Sequence, residues 1–191
     1  MTEATTTKKV CHLIGNGPSK QFFQNPDADD VYGCNFGEEG LDMKAVFIHD
    51  RRPLLFIMRN KIKFEKYPVI VRTNYVRLTQ QCIKAGLIPA ANFTPLPGQI
   101  REKTSGHDGL VFLSYFAPEK YDEIHLWGFD SLLTGIVDSD SKAKIKGSNP
   151  QIRRLPVWLQ RFNAIFDDLK KRGEKAVFLH HDDIFSDVMT D

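Results

Sequence analysis

Six short apolar runs recur along the chain, and each has the composition of a strand that is buried on both faces. They are rich in Val, Ile, Phe and Leu, as strands in the middle of a covered sheet are. The predicted strands span residues 10–14, 31–35, 45–49, 68–72, 123–128 and 176–180.

Between these runs, apolar residues recur at the spacing of an α-helix. The predicted helices span residues 52–60, 75–85, 109–117 and 157–172. The second ends before Gly86 and the fourth before Gly173, and glycine commonly closes a helix. The last helix places five apolar residues on one face: Trp158, Phe162, Ile165, Phe166 and Leu169. We therefore predict an α/β fold, a Rossmann-like and mostly parallel sheet with helices on both faces, in a single domain over residues 10–191.

Two stretches interrupt the alternation of strands and helices. Residues 89–104 contain three prolines and are predicted to be irregular. Residues 131–156 are polar and follow the carboxyl end of a predicted strand. Loops of this length inside a domain are often functional, so we expect a lid-like loop over a ligand crevice. Residues 1–9 are polar and threonine-rich, which predicts a disordered leader.

The composition narrows the class of protein. With 41% hydrophobic and 26% charged residues among 191, the chain resembles soluble globular proteins. It contains no apolar run of the roughly 20 residues that span a bilayer. The three cysteines are far apart and odd in number, which argues against a disulfide framework or a zinc site and favours a reducing, cytoplasmic location. A net charge of +2 is too small to indicate a nucleic-acid partner by itself.

The most informative motif follows the first predicted strand and consists of Gly15, Asn16, Gly17, Pro18 and Ser19. A glycine-rich turn at the carboxyl end of a first strand is where α/β domains usually hold a nucleotide. The glycines would let main-chain N–H groups approach a ligand closely. Pro18 can begin a helix, and the Ser19 hydroxyl can donate to a phosphate. The spacing of the glycines differs from that of the Gly-x-Gly-x-x-Gly motif that binds dinucleotides. An ordinary strand-to-helix turn is therefore the alternative interpretation.

Other polar residues follow later strands, at the edge where open α/β sheets bind ligands. Asn35 ends the second predicted strand, His49 and Asp50 end the third, and Asp130 follows the fifth. Residues 103–107 precede a helix whose dipole and free N–H groups suit an anion. Structural roles stay open for all of them. Asn35 could bond a turn, Asp130 could cap the next segment, and residues 103–107 could supply a helix cap.

The remaining histidines indicate neither catalysis nor a metal site. His12 and His125 lie inside predicted strands, where a structural role is favoured. Residues 180–183 read His-His-Asp-Asp, but consecutive side chains alternate in direction along a strand. We therefore predict no metal site.

Taken in order, these segments resemble bacterial sialyltransferases of the Campylobacter type. The shared segments are Gly15-Asn16-Gly17-Pro18-Ser19, Cys34-Asn35, Ala45-Val46-Phe47, Thr104-Ser105-Gly106 and residues 121–130. The resemblance covers residues 10–130 together with the closing helix and strand. It implies a Rossmann-like glycosyltransferase that needs no metal, binds a cytidine monophosphate (CMP) sugar as donor and transfers the sugar to a hydroxyl acceptor such as a glycan. It also implies which residues contact the nucleotide and its phosphate: Asn16, Gly17, Asn35, Ser105 and Gly106.

The chain departs from that family in the predicted lid, where the family carries a catalytic histidine and phosphate-holding tyrosines. The lid of this chain contains neither residue type. The acceptor hydroxyl still needs a base near neutral pH, and histidine suits that task. His49 and His107 are the candidates, with Asp50 and Asp130 as carboxylate alternatives. Arg101 or Lys103 could neutralise the leaving phosphate.

Two other functions stay open. One is a module that binds a nucleotide without turnover. The other is a different transferase on the same scaffold, such as a DNA-modifying or pyrophosphokinase-like enzyme. Basic residues in the lid would suit a nucleic-acid acceptor: Lys144, Lys146, Arg153 and Arg154. The chain is short for a glycosyltransferase, so a second subunit could complete the acceptor site.

Overall fold

The computed structural model describes residues 8–24, 29–35, 40–48, 51–96, 108–130 and 155–179. Within these residues the chain forms seven strands, four α-helices and three short 3-10 helices. The strands are β1 (Val10–Ile14), β2 (Asp30–Cys34), β3 (Ala45–Ile48), β4 (Val69–Val71), β5 (Phe93–Pro95), β6 (Glu123–Trp127) and β7 (Lys175–Leu179). The α-helices are α1 (Arg51–Asn60), α2 (Val76–Lys84), α3 (Asp108–Tyr115) and α4 (Leu155–Lys171). The 3-10 helices are Pro18–Phe22, Thr73–Tyr75 and Ala90–Asn92.

The seven strands run parallel in one sheet, in the order β5-β4-β3-β2-β1-β6-β7. The chain winds outward from β1 to β5, returns to the other side of β1 as β6, and continues outward to β7. The strand order therefore reverses between β1 and β6, and such reversals are where open α/β sheets bind ligands. At this point Ile14 of β1 lies beside Gly33 of β2 on one side and Trp127 of β6 on the other.

Each face of the sheet has its own hydrophobic core, because alternate side chains of a strand point to opposite faces. On one face, Phe47 of β3 belongs to a core that includes Leu110 of α3 and Phe162 of α4. On the other face, Val46 of β3 belongs to a core that includes Leu54 of α1, and α2 packs beside α1. Helices thus cover both faces, and the predicted Rossmann-like α/β fold is confirmed.

The ends of two helices confirm the predicted glycine signals. The α2 helix ends two residues before Gly86, which has a φ of 67°, and α4 ends two residues before Gly173, which has a φ of 77°. These values lie in the left-handed region that glycine enters most easily. The five apolar residues predicted to share one face of α4 all lie in or against the core.

The strand β5 lies within a stretch that we predicted to be irregular. Its three residues pair with β4, so that Phe93 lies beside Val69 and Pro95 beside Val71. Because β5 is the last strand at its end of the described sheet, one side of it forms no ladder with another described strand, and proline is tolerated there. Because β5 has only three residues and contains a proline, its sequence does not show the pattern of a strand.

The three cysteines are free and buried. No helix in the described part of the chain has the length and the apolar character that crossing a membrane requires. The predicted leader (1–9) and the predicted lid-like loop (131–156) fall almost entirely outside the described residues.

Candidate functional site

The turn after β1 (residues 15–17) and the turn after β6 (residues 128–130) are joined by hydrogen bonds between their main chains. We call this contact the glycine junction. The N–H of Gly15 donates to the carbonyl oxygen of Trp127 at 2.6 Å, and the N–H of Gly17 donates to that of Gly128 at 2.8 Å. These bonds continue the pairing of β1 with β6 beyond the ends of both strands. The two N–H groups that the sequence suggested for a ligand therefore bind the neighbouring turn.

The glycines of this junction are required because no side chain fits between the two turns. A β-carbon at Gly15 would overlap the carbonyl oxygen of Gly128, and one at Gly17 would overlap the carboxylate of Asp130. Gly128 itself has a φ of 70°, and a β-carbon there would lie 2.9 Å from the carbonyl carbon of Gly15. The glycine spacing of the motif thus follows from the close approach of two main chains.

Ser19 and Asp130 complete the junction. The N–H of Gly128 donates to Ser19 Oγ at 2.8 Å, and the N–H of Ser19 donates to Asp130 Oδ2 at 2.9 Å. Ser19 is fully buried and Asp130 is 4% exposed. Pro18 begins the 3-10 helix, as predicted, and Asp130 accepts a hydrogen bond from its first turn. In this arrangement Ser19 and Asp130 hold the turn in place.

Asn35 lies directly after β2, the strand beside β1. Its φ of 61° is in the left-handed region, which asparagine tolerates better than most residues, and its N–H donates to the carbonyl oxygen of Phe47 at 2.8 Å. Its side-chain Oδ1 is buried and has no hydrogen-bond partner among the described residues. A buried acceptor without a donor costs about 1–3 kcal/mol. A bound group that donates an N–H or O–H would therefore be favoured at this position.

The distance between these features suits a single small ligand. Neighbouring strands lie about 4.8 Å apart, so Asn35 and the turn at Gly128, separated by β1, are about 10 Å from each other. Asn16 is half-buried in the bend between them, after β1. The carboxyl edge thus presents two asparagines beside the glycine junction.

An ion pair at the same edge joins β4 to α3. Arg72 follows β4, and its Nη2 lies 3.2 Å from Oδ1 of Asp108, the first residue of α3, whose side chain is fully buried. Gly109 lets α3 approach the sheet, because a β-carbon there would lie 3.0 Å from a phenylalanine ring of β3. Our sequence analysis did not single out Arg72, although it ends a predicted strand as Asn35 does.

The thiol of Cys34 lies at the end of β2 and is unreactive. Burial raises its pKa to about 12, and the negative charge of Asp108 adds to the effect. A thiol with this pKa stays protonated at neutral pH and is a poor nucleophile. Cys34 therefore contributes an apolar surface to the site rather than a reactive group.

A chain of hydrogen bonds supports the junction on the sheet face opposite α3. The indole N–H of Trp127 donates to His12 Nδ1 at 3.1 Å, and His12 Nε2 lies 3.0 Å from Asp29 Oδ2. An indole nitrogen only donates, so Nδ1 must accept and the ring proton sits on Nε2. Burial lowers the pKa of His12, against the raising effect of the hydrogen bond to Asp29. His12 is therefore a neutral residue with a structural position, and the ring of His125 packs 5.1 Å from it.

Several predicted site residues lie outside the described residues. They are His49, Asp50, Arg101, Lys103, Thr104, Ser105, Gly106 and His107. The His-His-Asp-Asp segment at 180–183 also lies outside them. In the part of the chain that the structure describes, no group of three or more His, Cys, Asp or Glu residues could hold a metal ion.

The opposite, amino edge of the sheet carries a depression of about 670 Å³. Its charges compensate one another, because Glu123 pairs with Lys8 at 2.9 Å and with Lys175 at 3.1 Å. The hydrogen bond from Lys8 is the largest of several effects that lower the pKa of Glu123 to about 2. None of its lining residues has a buried side-chain donor or acceptor without a partner among the described residues, and we therefore place the candidate site at the carboxyl edge.

Comparison of the chain with protein-family models, with curated proteins and with solved structures finds no match in any of the three. The assignment of the site therefore rests on its own geometry. That geometry combines a reversal of strand order, a glycine junction, the unmet acceptor of Asn35, and the pair of Arg72 and Asp108 at one edge of the sheet.

Proposed function

We propose that the chain binds a nucleotide at the carboxyl edge of its sheet and transfers the sugar of a CMP-linked donor to a hydroxyl acceptor without a metal. The observation that carries the proposal is the buried Oδ1 of Asn35, which has no donor among the described residues. It lies beside the reversal of strand order, where ligands bind to sheets of this class.

The chemistry of a cytidine nucleotide suits this edge. Cytosine carries an exocyclic amino group that donates hydrogen bonds, and ribose carries hydroxyl groups that do the same. Either could supply the donor that Asn35 Oδ1 lacks. Asn35 is also one of the residues that the resemblance to sialyltransferases assigns to the nucleotide.

In the proposed transfer, a base removes the proton of the acceptor hydroxyl while its oxygen bonds to the anomeric carbon of the sugar. The bond from that carbon to the phosphate oxygen breaks, and CMP leaves with the electron pair. His49 and His107 are the preferred bases, since Asp130 is buried and accepts the N–H of Ser19. Arg101 or Lys103 would stabilise the charge on the leaving phosphate.

A nucleotide-binding module without turnover is the second candidate function. The contacts of Ser19 and Asp130 favour it, because both residues are engaged in the junction and fewer polar groups are left for catalysis. The two functions differ in whether the donor is consumed.

Thermal unfolding in the presence of CMP, CMP-sugars, UDP, GDP and ADP tests the site and its base preference. A ligand at 100 times its dissociation constant stabilises a protein by about 2.7 kcal/mol. For a chain of this size that raises the unfolding temperature by roughly 5–10 °C. We expect this shift with cytidine nucleotides. A rise in unfolding temperature with a nucleotide of another base would support the nucleotide site but contradict the assignment of a cytidine donor.

Two matched variants locate the binding. Asn35→Gly removes the carboxamide and suits a φ of 61°, while Lys61→Gly makes the same change at a φ of 51° on a residue outside the edge. We expect Asn35→Gly to abolish the shift with CMP and Lys61→Gly to retain it. An equal shift in both variants, or no shift with any nucleotide in the unmodified chain, would contradict the proposed site.

Release of CMP from a CMP-sugar, measured with and without a hydroxyl acceptor, separates the two functions. A general base contributes on the order of 100-fold or more to such a step. We expect His49→Ala or His107→Ala to lose at least that factor while CMP binding is kept. Binding without any CMP release would favour the module, and transfer that neither variant slows would overturn the assignment of the base.

A further inference from the structure

Positive charge is concentrated in one part of the chain. Residues 51–96 contain nine lysines and arginines and a single acidic residue, Glu65, which is a net charge of +8. The whole chain carries only +2, so the remaining residues together carry −6. An asymmetry of this size between parts of one domain is typical of proteins that bind polyanions.

These charges lie on one surface, which we call the basic face. It consists of the outer sides of α1 and α2 and the segment 61–66. Its exposed basic residues are Arg51, Arg52, Arg59, Lys61, Lys63, Lys66, Arg77 and Lys84. The inner sides of the two helices are apolar and buried against the sheet, as Leu54, Ile57 and Cys82 show.

Most of the charges on the basic face have no ion-pair partner among the described residues. Lys63 pairs with Glu65 at 3.3 Å, but both side chains are about two-thirds exposed, and such pairs are weak. Arg59, Arg77 and Lys84 make no ion pair with any other described residue. The charges are therefore available to a partner.

The spacing of the charges suits an array of phosphates. Arg52 and Arg59 are seven residues apart on α1, and Arg77 and Lys84 are seven apart on α2. Seven residues are two helical turns, so each pair lies on one side of its helix about 10 Å apart. The two helices pack side by side, at the usual 8–10 Å between axes. Charges at this spacing match the 6–12 Å widths of the grooves of a B-form duplex.

The uncharged residues of the basic face point to the same partner. Its exposed neutral residues are hydrogen-bonding ones: Asn60, Gln80 and Gln81. Phosphates are commonly contacted by such side chains together with Lys and Arg. Among the described residues, the large hydrophobic side chains that are exposed lie elsewhere, at Phe22, Tyr115 and Val157. The face thus lacks the apolar side chains that insert into a membrane surface and the aromatic ones that stack on single-stranded bases.

We propose that the basic face binds the phosphate backbone of a nucleic-acid duplex. The inference does not depend on the nucleotide site at the carboxyl edge.

Fluorescence anisotropy of a labelled 20-base-pair duplex with the full chain, at 50 to 200 mM KCl, tests the proposal. Binding through phosphates without base recognition gives a dissociation constant of about 1–100 µM at physiological salt, with a slope of about −0.9 per phosphate in log K against log salt. The triple variant Arg59→Gln/Arg77→Gln/Lys84→Gln is expected to reduce the magnitude of that slope by about 2.7.

The control is Lys120→Gln/Lys170→Gln/Lys171→Gln, which removes the same charge from exposed positions outside the basic face. We expect it to keep the slope of the unmodified chain, and both variants to keep its unfolding temperature. No binding at 50 mM KCl, an equal loss of slope in both variants, or tighter binding of a single strand would overturn the proposal. Binding to vesicles with 30% phosphatidylserine, lost in the first variant, without binding to the duplex would assign the face to a membrane instead.

Discussion

Gly128, Ser19 and Asp130 satisfy one another's hydrogen bonds within the protein, although each lies where a ligand was expected. The sequence could place all three at the carboxyl edge, because each comes after an apolar run that reads as a strand. It could not show that they meet, because that depends on β1 pairing with a strand far away in the chain. Asn35 differs from them, since the structure leaves its buried Oδ1 without a partner among the described residues.

The tight contact at Gly15 predicts a large loss of stability for Gly15→Ala. The new methyl group would overlap the carbonyl oxygen of Gly128, and two main chains that are bonded to each other cannot easily move apart. We expect a loss of about 3 kcal/mol in the free energy of unfolding, measured by urea denaturation.

Gly86→Ala provides the comparison for this variant. Gly86 also has a positive φ, but a β-carbon there has nothing within 4 Å. Its substitution should cost only the backbone strain, about 1 kcal/mol. Equal losses in the two variants would show that the junction tolerates a side chain.

The neutral state of His12 predicts that stability falls in mild acid. Burial lowers the pKa of His12 below its ordinary value of 6.5, so the unfolded chain takes up a proton at a higher pH than the folded chain. The contribution to stability is therefore complete above pH 6.5 and is lost as the pH falls towards the folded pKa. Urea denaturation between pH 7.5 and 5.5 should show a fall of up to about 1.4 kcal/mol per pH unit from this residue.

The variant His12→Gln removes the titrating group and should flatten this dependence. His125→Gln, on the neighbouring strand, should keep most of it. If the unmodified chain and His12→Gln lose stability in parallel, the fall belongs to other groups.

At the scale of elements, the strands that sequence patterns predict well are those buried on both faces. The apolar runs of β1 and β3 stand out because nearly all of their side chains are buried, and their predicted bounds differ from the observed ones by at most one residue. The edge strand β5 has no such pattern, since one side of it pairs with nothing in the described sheet. The helix predicted at 109–117 matches α3, but its ion pair with Arg72 could not be predicted, because the two residues are 36 positions apart in the sequence.

That ion pair predicts a dependence of α3 on Arg72. Replacing Arg72 by methionine leaves the fully buried carboxylate of Asp108 without this partner. The loss of one member of a buried pair typically costs about 3 kcal/mol or more. We expect Arg72→Met to lower the free energy of unfolding by that amount in urea denaturation.

The double variant Arg72→Met/Asp108→Asn removes both charges and should recover part of the loss, because no uncompensated carboxylate is then buried. A double variant that is less stable than Arg72→Met by the full cost of Asp108→Asn alone would show that the two residues act independently.

At the scale of the whole molecule, the sequence predicted the class of fold because strands and helices alternate along the chain. The order of the strands was beyond it, since that order depends on which distant strands pair. The same holds for the basic face. The sequence shows that residues 51–96 are basic although the whole chain carries only +2, but only the fold shows that α1 and α2 pack side by side and expose these residues together.

The pairing of β1 with β6 also affects how the chain folds while it is being synthesised. The hydrogen bond between Trp127 and His12 joins residues 115 positions apart, and contacts of such long range slow folding because a large loop must close first. During synthesis, β1 and β2 emerge long before β6, so one edge of β1 has no partner in the sheet until most of the protein exists. An open strand edge is a template for pairing with other chains. The long separation between β1 and β6 in the sequence therefore makes chains that still lack β6 prone to aggregation.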